Sequence, residues 1–132
     1  MRDVSAKPNT LRTAKAAAIL KVRPSTIEAI NSGNLPKADP LGVARVAGIQ
    51  AAKNTGLLIP YCHQVPLDHI HVSISLDNSR ITITAEVKAI WKTGVEMEAL
   101  VAASASALTL YDMLKIIDDE MEITSVRLLG KT

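Results

Sequence analysis

The stretch that decides the fold is KTGVEMEALVAASASALTLYDMLK, residues 92–115. Gly94 is a helix breaker near its start, and no further Gly or Pro occurs before residue 119. Apolar residues then recur at steps of three to five, which predicts one long, mostly buried helix reaching about Asp119. The recurring positions are Val95, Leu100, Ala103, Ala107, Leu110, Leu114 and Ile117.

Charged side chains near the two ends of this helix are its informative feature. Glu96 and Glu98 lie in the first turn, where carboxylates favour the positive end of the helix dipole. Asp112 and Lys115 are three residues apart and share a face near the other end. Glu98 and Asp112 fall within about 40° of each other around the axis but about 21 Å apart along it.

These two polar groups are too far apart to serve one small site within one chain. An antiparallel pairing of two copies would bring one end of each helix together, so one hypothesis is a dimer, or a larger assembly, with sites at the interface. A dipole effect at one end and an ordinary ion pair at the other explain the same residues equally well.

Length and composition predict a single domain. The 132 residues suffice for one real core, and the hydrophobic fraction of 48% excludes a disordered chain. Phe is absent, so the core must be built from Ala, Val, Ile and Leu. The net charge of +2, without an arginine-rich patch, gives no reason to expect nucleic acid as a partner.

The single cysteine, Cys62, excludes an internal disulfide framework and suits a reducing compartment. The first residues lack the apolar core of a signal peptide. The long helix is flanked by Glu and Asp, which is typical of a helix buried in protein rather than in lipid. We therefore expect a cytoplasmic protein that does not bind membranes.

The remaining elements are read from alternation, caps and breakers. Residues 11–22 and 122–129 are predicted strands, and residues 70–90 alternate as a β-hairpin with a turn at 77–80. Helices are predicted at 26–32, with Ser or Thr as cap, and from residue 40 or 41 to about 55, with Asp39 as cap. Residues 57–66 are expected to be an apolar connection. The order predicts an α+β sandwich, a βαββαβ frame with helices on one face of a mostly antiparallel sheet.

Familiar catalytic motifs such as phosphate loops and nucleophile elbows are missing. A zinc site built from Cys62, His63, His69 and His71 is conceivable, although the spacing matches no structural zinc pattern. Lys37, in a loop between two prolines, Lys115 and Lys131 could each clamp a phosphate or transfer a proton if the pKa were lowered by burial. Each alone is more simply explained as a surface lysine.

Six segments together resemble the cyclic pyranopterin monophosphate synthase family, the MoaC-type proteins of molybdenum cofactor synthesis. They are DVSAK (3–7), ARVAGIQAAK (44–53), LIPYCH (58–63), KTGVEMEAL (92–100), LYDMLK (110–115) and VRLL (126–129). The resemblance spans nearly the whole chain in the order of the family.

This resemblance implies a ferredoxin-like protomer in a homohexamer, a trimer of dimers with active sites at subunit interfaces. It implies conversion of 3′,8-cyclo-7,8-dihydro-GTP to cyclic pyranopterin monophosphate and diphosphate, a lyase reaction without a resident cofactor or metal and with Mg²⁺ as an optional companion of the substrate. The catalytic residues that it implies are Asp112, Lys115, Lys37 and Lys131. The substrate-binding residues that it implies are Tyr61, Cys62, His63, Glu96, Met97 and Glu98.

Two other classes of function stay open at this point. One is a ferredoxin-like oligomeric binding module, such as a nucleotide sensor, whose lysines only bind phosphate. The pairing of Asp112 with Lys115 argues against it, because the acid would repel the ligand. The other is a metal-handling protein that uses Cys62 and the histidines.

Overall fold

The two strands of the expected hairpin and the two terminal strands form one antiparallel sheet. The computed structural model describes residues 1–37 and 39–132. Its strands are β1 (Thr10–Lys21), β2 (His69–Leu76), β3 (Arg80–Trp91) and β4 (Glu122–Lys131), in the order β2-β3-β1-β4. Its helices are α1 (Pro24–Ser32), α2 (Pro40–Lys53), α3 (Thr55–Leu58) and α4 (Glu96–Leu114). This βαββαβ arrangement, with the extra turn α3, confirms the predicted α+β ferredoxin-like fold.

The core lies between the sheet and α4, and it is built largely from alanine. One face of β1 and β3 is buried, and α4 packs across it. The buried positions on the two strands are Ala14, Ala16, Ala18, Leu20, Ile81, Ile83, Ala85, Val87 and Ala89. Those on α4 include Ala99, Ala102, Ala103, Ala107, Leu110 and Leu114. Small side chains on both layers let the helix lie close to the sheet.

The long helix is shorter than the periodicity suggests. It ends at Leu114 rather than near Asp119, because the N–H groups of Ile117 and Asp118 both donate to the carbonyl of Leu114 and close a turn. α4 is long and apolar enough to cross a membrane by length and composition alone. It is instead the central helix of this core, since eight of its residues are buried.

α2 packs against α4 through small residues. Gly48 faces Ser106, and a β-carbon at Gly48 would overlap the Ser106 hydroxyl. That hydroxyl donates a 2.8 Å hydrogen bond to the carbonyl of Ala44. The expected cap of α2 is confirmed, because the Asp39 side chain accepts from the N–H of Gly42 at 3.0 Å.

Two local predictions were wrong. α1 begins at Pro24 and is not capped by a Ser or Thr of its own first turn, because the Thr26 hydroxyl donates away from the helix, to Asp118. The predicted end of α2 near residue 55 and the apolar connection after it also differ: α2 stops at Lys53, and Thr55–Leu58 forms α3. The Asn54 carbonyl accepts from the N–H groups of Leu57 and Leu58, which makes that turn helical.

The last strand does not alternate as the sequence predicts. Two register shifts, between Ile19 and Leu20 and between Lys15 and Ala16 of β1, each add one residue to β4. Each bulge reverses which side chains face the helices. β4 continues past residue 129, so that Lys131 lies opposite Ala14, on the helix side of the sheet.

Candidate functional site

The beginning of α4 faces a half-open cleft of about 330 Å³. Tyr61, Cys62 and His63 reach it from the segment after α3, and the N–H of Cys62 donates to the carbonyl of Ile59 to turn the chain there. Glu96, Met97 and Glu98 reach it from the first turn of α4. The structure thus places all six predicted substrate-binding residues at one cleft.

Lys131 belongs to the same group. Its Nζ lies 3.4 Å from Oε1 of Glu96. The strand register explains the contact, because Lys131 is directed to the helix side of the sheet opposite Ala14. We call these seven residues the α4-start cluster: Tyr61, Cys62, His63, Glu96, Met97, Glu98 and Lys131.

Burial sets the electrostatics of the α4-start cluster. Glu98 is only 4% exposed. Burial raises the pKa of Glu98, and the nearby charge of Glu96 raises it further. Burial likewise raises the pKa of the Cys62 thiol, with a smaller contribution from Glu98. The cleft therefore holds a carboxyl group that binds its proton more tightly than an ordinary glutamate, close to a second carboxylate that is paired with a lysine.

The first residues of the chain contribute to this cleft, which the sequence reasoning missed. Arg2 and Lys7 line it and bring positive charge. The carbonyl of Arg2 accepts a 2.7 Å hydrogen bond from Nε2 of His63, so the imidazole holds the N-terminal segment in place. DVSAK is one of the six segments that resemble the family, and its lysine, Lys7, is the signal that could have placed this segment at the cleft.

Gly94 leaves room for an acidic side chain at the same cleft. A β-carbon at this position would overlap the carboxylate of Glu96. The breaker that starts the deciding stretch therefore also leaves space for an acidic side chain of the site.

The end of α4 carries a second group of charges. Lys115 Nζ lies 2.8 Å from Oδ1 of Asp112, and both side chains are well exposed, at 59% and 63%. The hydrogen bond and charge of Lys115 lower the pKa of Asp112, and the charge of Lys37 lowers it further. The same pair raises the pKa of Lys115. We call Lys37, Asp112 and Lys115 the α4-end cluster.

The predicted catalytic residues are therefore divided between two places. Lys37 joins Asp112 and Lys115, whereas Lys131 lies with the substrate-binding residues. The fourteen residues between Glu98 and Asp112 correspond to about 21 Å of helix, as expected from the sequence. A single chain does not bring the two clusters together.

An apolar groove of about 400 Å³ runs along the outer face of α4 between the clusters. Its lining residues are Ala51, Leu58, Ile59, Met97, Leu100, Val101, Ser104, Ala105 and Leu108. Leu58 and Leu108 are each 60% exposed. Contiguous exposed apolar surface of this kind is typical of interaction sites and is unusual on soluble monomers.

The histidines outside the cleft do not form a metal centre in the part of the chain that the structure describes. His69 and His71 lie on the edge strand β2 with their rings stacked, 6.4 Å between centroids. No group of three or more His, Cys, Asp or Glu residues among those described is placed to hold an ion.

The MoaC family matches residues 1–132. Proteins named cyclic pyranopterin monophosphate synthase from Nostoc sp. and Roseiflexus sp. are 52% and 49% identical to the chain, over all of it and over 80% and 85% of their own lengths. A Mycobacterium tuberculosis protein, cyclic pyranopterin monophosphate synthase 1, is 48% identical over the whole chain and 78% of its own length. The chain belongs to the MoaC family.

Proposed function

We propose that this protein is a cyclic pyranopterin monophosphate synthase in molybdenum cofactor synthesis. It converts 3′,8-cyclo-7,8-dihydro-GTP to cyclic pyranopterin monophosphate and diphosphate, as a phosphorus–oxygen lyase. The observation that carries the proposal is the pair of clusters at the two ends of α4, in a chain about 50% identical to proteins of that name.

The reaction demands proton transfer and charge stabilisation together. A hydroxyl derived from the ribose attacks the α-phosphorus and loses its proton, while the bond from that phosphorus to the diphosphate oxygen breaks. The purine's five-membered ring opens and a pyrazine ring closes, so further protons move between ring atoms. Acid–base groups serve the protons, and fixed cations stabilise the charge on the departing diphosphate.

In this proposal the α4-end cluster supplies the chemistry. Asp112 is ionised and accepts a proton, Lys115 beside it donates one, and Lys37 adds a second cation. In the single chain the ion pair raises the pKa of Lys115 and opposes this donation, so we assign it to the complete site, where substrate and a second copy disrupt the pair. A carboxylate held against a lysine is of little use to a protein that only binds phosphate, because the acid repels the ligand. This pair is the reason to prefer an enzyme over a nucleotide sensor.

The α4-start cluster holds the substrate in this proposal. Its cleft combines the cations of Arg2 and Lys7 with acidic groups, and Lys131 lies beside it, paired with Glu96. This suits a ligand that carries both phosphates and a ring rich in N–H donors. Burial raises the pKa of Glu98 and of Cys62, which favours the protonated forms that can donate hydrogen bonds to ring oxygens or nitrogens.

Each complete site takes one cluster from each of two copies. The exposed apolar groove between the clusters supports this, because an antiparallel second α4 laid along it would cover Leu108 and bring opposite ends together. We propose three such dimers in a cytoplasmic homohexamer, with Mg²⁺ accompanying the substrate phosphates rather than residing in the protein.

The decisive experiment is an assay of the purified protein with the cyclic dihydro-GTP. We expect stoichiometric diphosphate and a pterin phosphate, with GTP itself giving neither product. A correctly assembled protein that binds the cyclic compound but releases no diphosphate, with and without Mg²⁺, would overturn the enzyme and leave the sensor.

A further inference from the structure

The turn after α4 contains a buried carboxylate that the proposed reaction does not use. Asp118 is 1% exposed, and its side chain accepts four hydrogen bonds. Arg23 donates through its backbone N–H at 2.9 Å and through Nε at 3.2 Å. The Thr26 hydroxyl donates at 2.8 Å and the N–H of Glu120 at 3.0 Å. So many bonds on one buried side chain indicate a specific junction between two parts of the fold.

This carboxylate lies at the start of α1, which has no side-chain cap of its own. The cap position, Arg23, has no side-chain hydrogen bond of that kind, and the first turn carries no acid. Oδ2 of Asp118 takes the bonds from the Arg23 N–H and the Thr26 hydroxyl. A negative group at the start of a helix also favours the helix dipole. The start of α1 is therefore held by a residue that follows it by more than ninety positions.

α1 has few other attachments. Of its nine residues, Thr26 and Ile27 are the buried ones. The helix ends at Gly33, whose φ of 73° lies in the left-handed region, and the loop that follows carries Lys37. The Lys37 loop is therefore tied at two ends, to α1 through Gly33 and to α2 through Asp39, and α1 sets the first of these ends.

The other side of the junction is the α4-end cluster. Asp118 follows Lys115 by three residues, and its N–H donates to the carbonyl of Leu114, the last residue of α4, at 3.1 Å. The Arg23 guanidinium spans the same turn, since it also donates to the carbonyl of Ile117 and to Asp119. One carboxylate therefore joins the start of α1 to the end of α4.

We propose that Asp118 is a positioning residue that holds α1, and with it one end of the Lys37 loop, beside the end of α4 that carries Asp112 and Lys115. The inference rests on the proposed function, because it assumes that Lys37 acts in the reaction. Asp118 itself touches no reacting atom. Its carboxylate fixes the distance between cations that come from separate parts of the chain.

A double-mutant cycle between Asp118 and Lys37 tests the proposal. Asp118→Asn keeps the size of the side chain but removes its charge, and Lys37→Arg keeps a cation in an altered place. We expect each single variant to lower kcat on the order of tenfold to 100-fold, since small misplacements of catalytic groups have effects of this size. Because both changes displace the same cation, the kcat of the double variant should lie within about twofold of the kcat of the less active single variant.

Asp77→Asn is the matched control. Asp77 also accepts from two backbone N–H groups and pairs with an arginine, but in the turn between β2 and β3. Its substitution should leave kcat within about twofold of the unmodified protein. Hydrogen exchange gives a second readout: Asp118→Asn should accelerate exchange in residues 33–37, whereas Asp77→Asn should accelerate exchange in 77–80 only.

Each outcome decides. Losses of kcat that multiply in the double variant, or unchanged exchange in residues 33–37, would overturn the positioning role. If Asp118→Asn does not fold, Thr26→Val removes one of the four bonds with little change of shape and enters the same cycle. Failure of the unmodified protein to release diphosphate would overturn the proposed function instead, and loop exchange would still test the junction.

Discussion

The two ends of α4 carry charges of similar kind in opposite surroundings. At the start, Glu98 is buried and its pKa is raised, inside a cleft that exists within one chain. At the end, Asp112 is exposed and its pKa is lowered by Lys115. Exposed charges interact weakly in water and gain strength only when a neighbour removes the water. The comparison teaches that the start of α4 forms its cleft within one chain, whereas in the proposed function the exposed charges at its end become effective only when a second copy covers them.

The largest effect is expected at the exposed end. Asp112→Asn or Lys115→Ala should lower turnover of the cyclic dihydro-GTP about 1,000-fold or more, because each removes a proton-transferring group. Diphosphate release measures the loss, and sedimentation should show unchanged assembly.

Asp77 and Arg80 supply the control, since they form the same exposed i,i+3 ion pair in the hairpin turn. Arg80→Ala should leave turnover within about twofold. Normal turnover by either α4-end variant would remove the acid–base assignment.

A substitution in the groove along α4 tests whether a second copy covers the exposed end of the helix. Leu108→Glu should place a charge where a second copy is proposed to pack, dissociate the assembly and lower turnover about 100-fold. Light scattering and the diphosphate assay give the two measurements. Leu57→Glu, at an exposed leucine outside the groove, should change neither. A fully active monomer of Leu108→Glu would refute the two-chain site.

Mixing experiments ask whether the two ends really come from different copies. Glu98→Ala and Lys115→Ala proteins, each inactive alone, should regain about a quarter of full activity when dissociated together and reassembled in equal amounts, because a mixed twofold dimer keeps one intact site. Activity is compared with that of each variant reassembled alone. Confirmed mixed assemblies without any recovery would mean that both ends serve the same chain.

The smallest effect concerns stability. Because burial raises the pKa of Glu98, its ionisation is less favourable in the folded state, so stability falls as pH rises from about the ordinary value of 4.5 through the folded-state pKa. Glu98→Gln should remove this loss and stabilise the protein by about 1 kcal/mol at neutral pH. Thermal unfolding between pH 4 and pH 8 measures it. The pKa of Asp112 is lowered, so its ionisation favours the folded state and this contribution is lost as pH falls. Asp112→Asn should therefore not stabilise the protein.

Local patterns in the sequence predicted most of the fold. Alternation in residues 70–90 and apolar spacing in 92–115 are properties of single elements, and both elements formed. The errors have two sources, partners distant in the chain and local turns. The start of α1 is held by Asp118, and no window around Arg23 contains that residue. α4 ends in a turn in which Ile117 and Asp118 donate to the carbonyl of Leu114. The apolar spacing continues to Ile117 and therefore does not show where the helix ends.

The sequence predicted which residues belong to the candidate site, but not which of them lie together. The resemblance named the residues, and helix geometry separated Glu98 from Asp112. The place of Lys131 depends on two bulges in β4, and simple alternation does not register them. The contribution of Arg2 and Lys7 depends on the hydrogen bond between His63 and a backbone carbonyl, which no side-chain pattern encodes.

Gly48 connects the two ends of the molecule in another way. α2, which it brings against α4, leads at one end to the loop of Lys37 and at the other, through α3, to Tyr61 and His63. A single added methyl group at Gly48 would meet Ser106 and push α2 outward along its length. The absence of one carbon atom at Gly48 therefore sets the spacing between α2 and α4. Through that spacing it also sets how far the Lys37 loop and the segment of Tyr61 and His63 lie from α4.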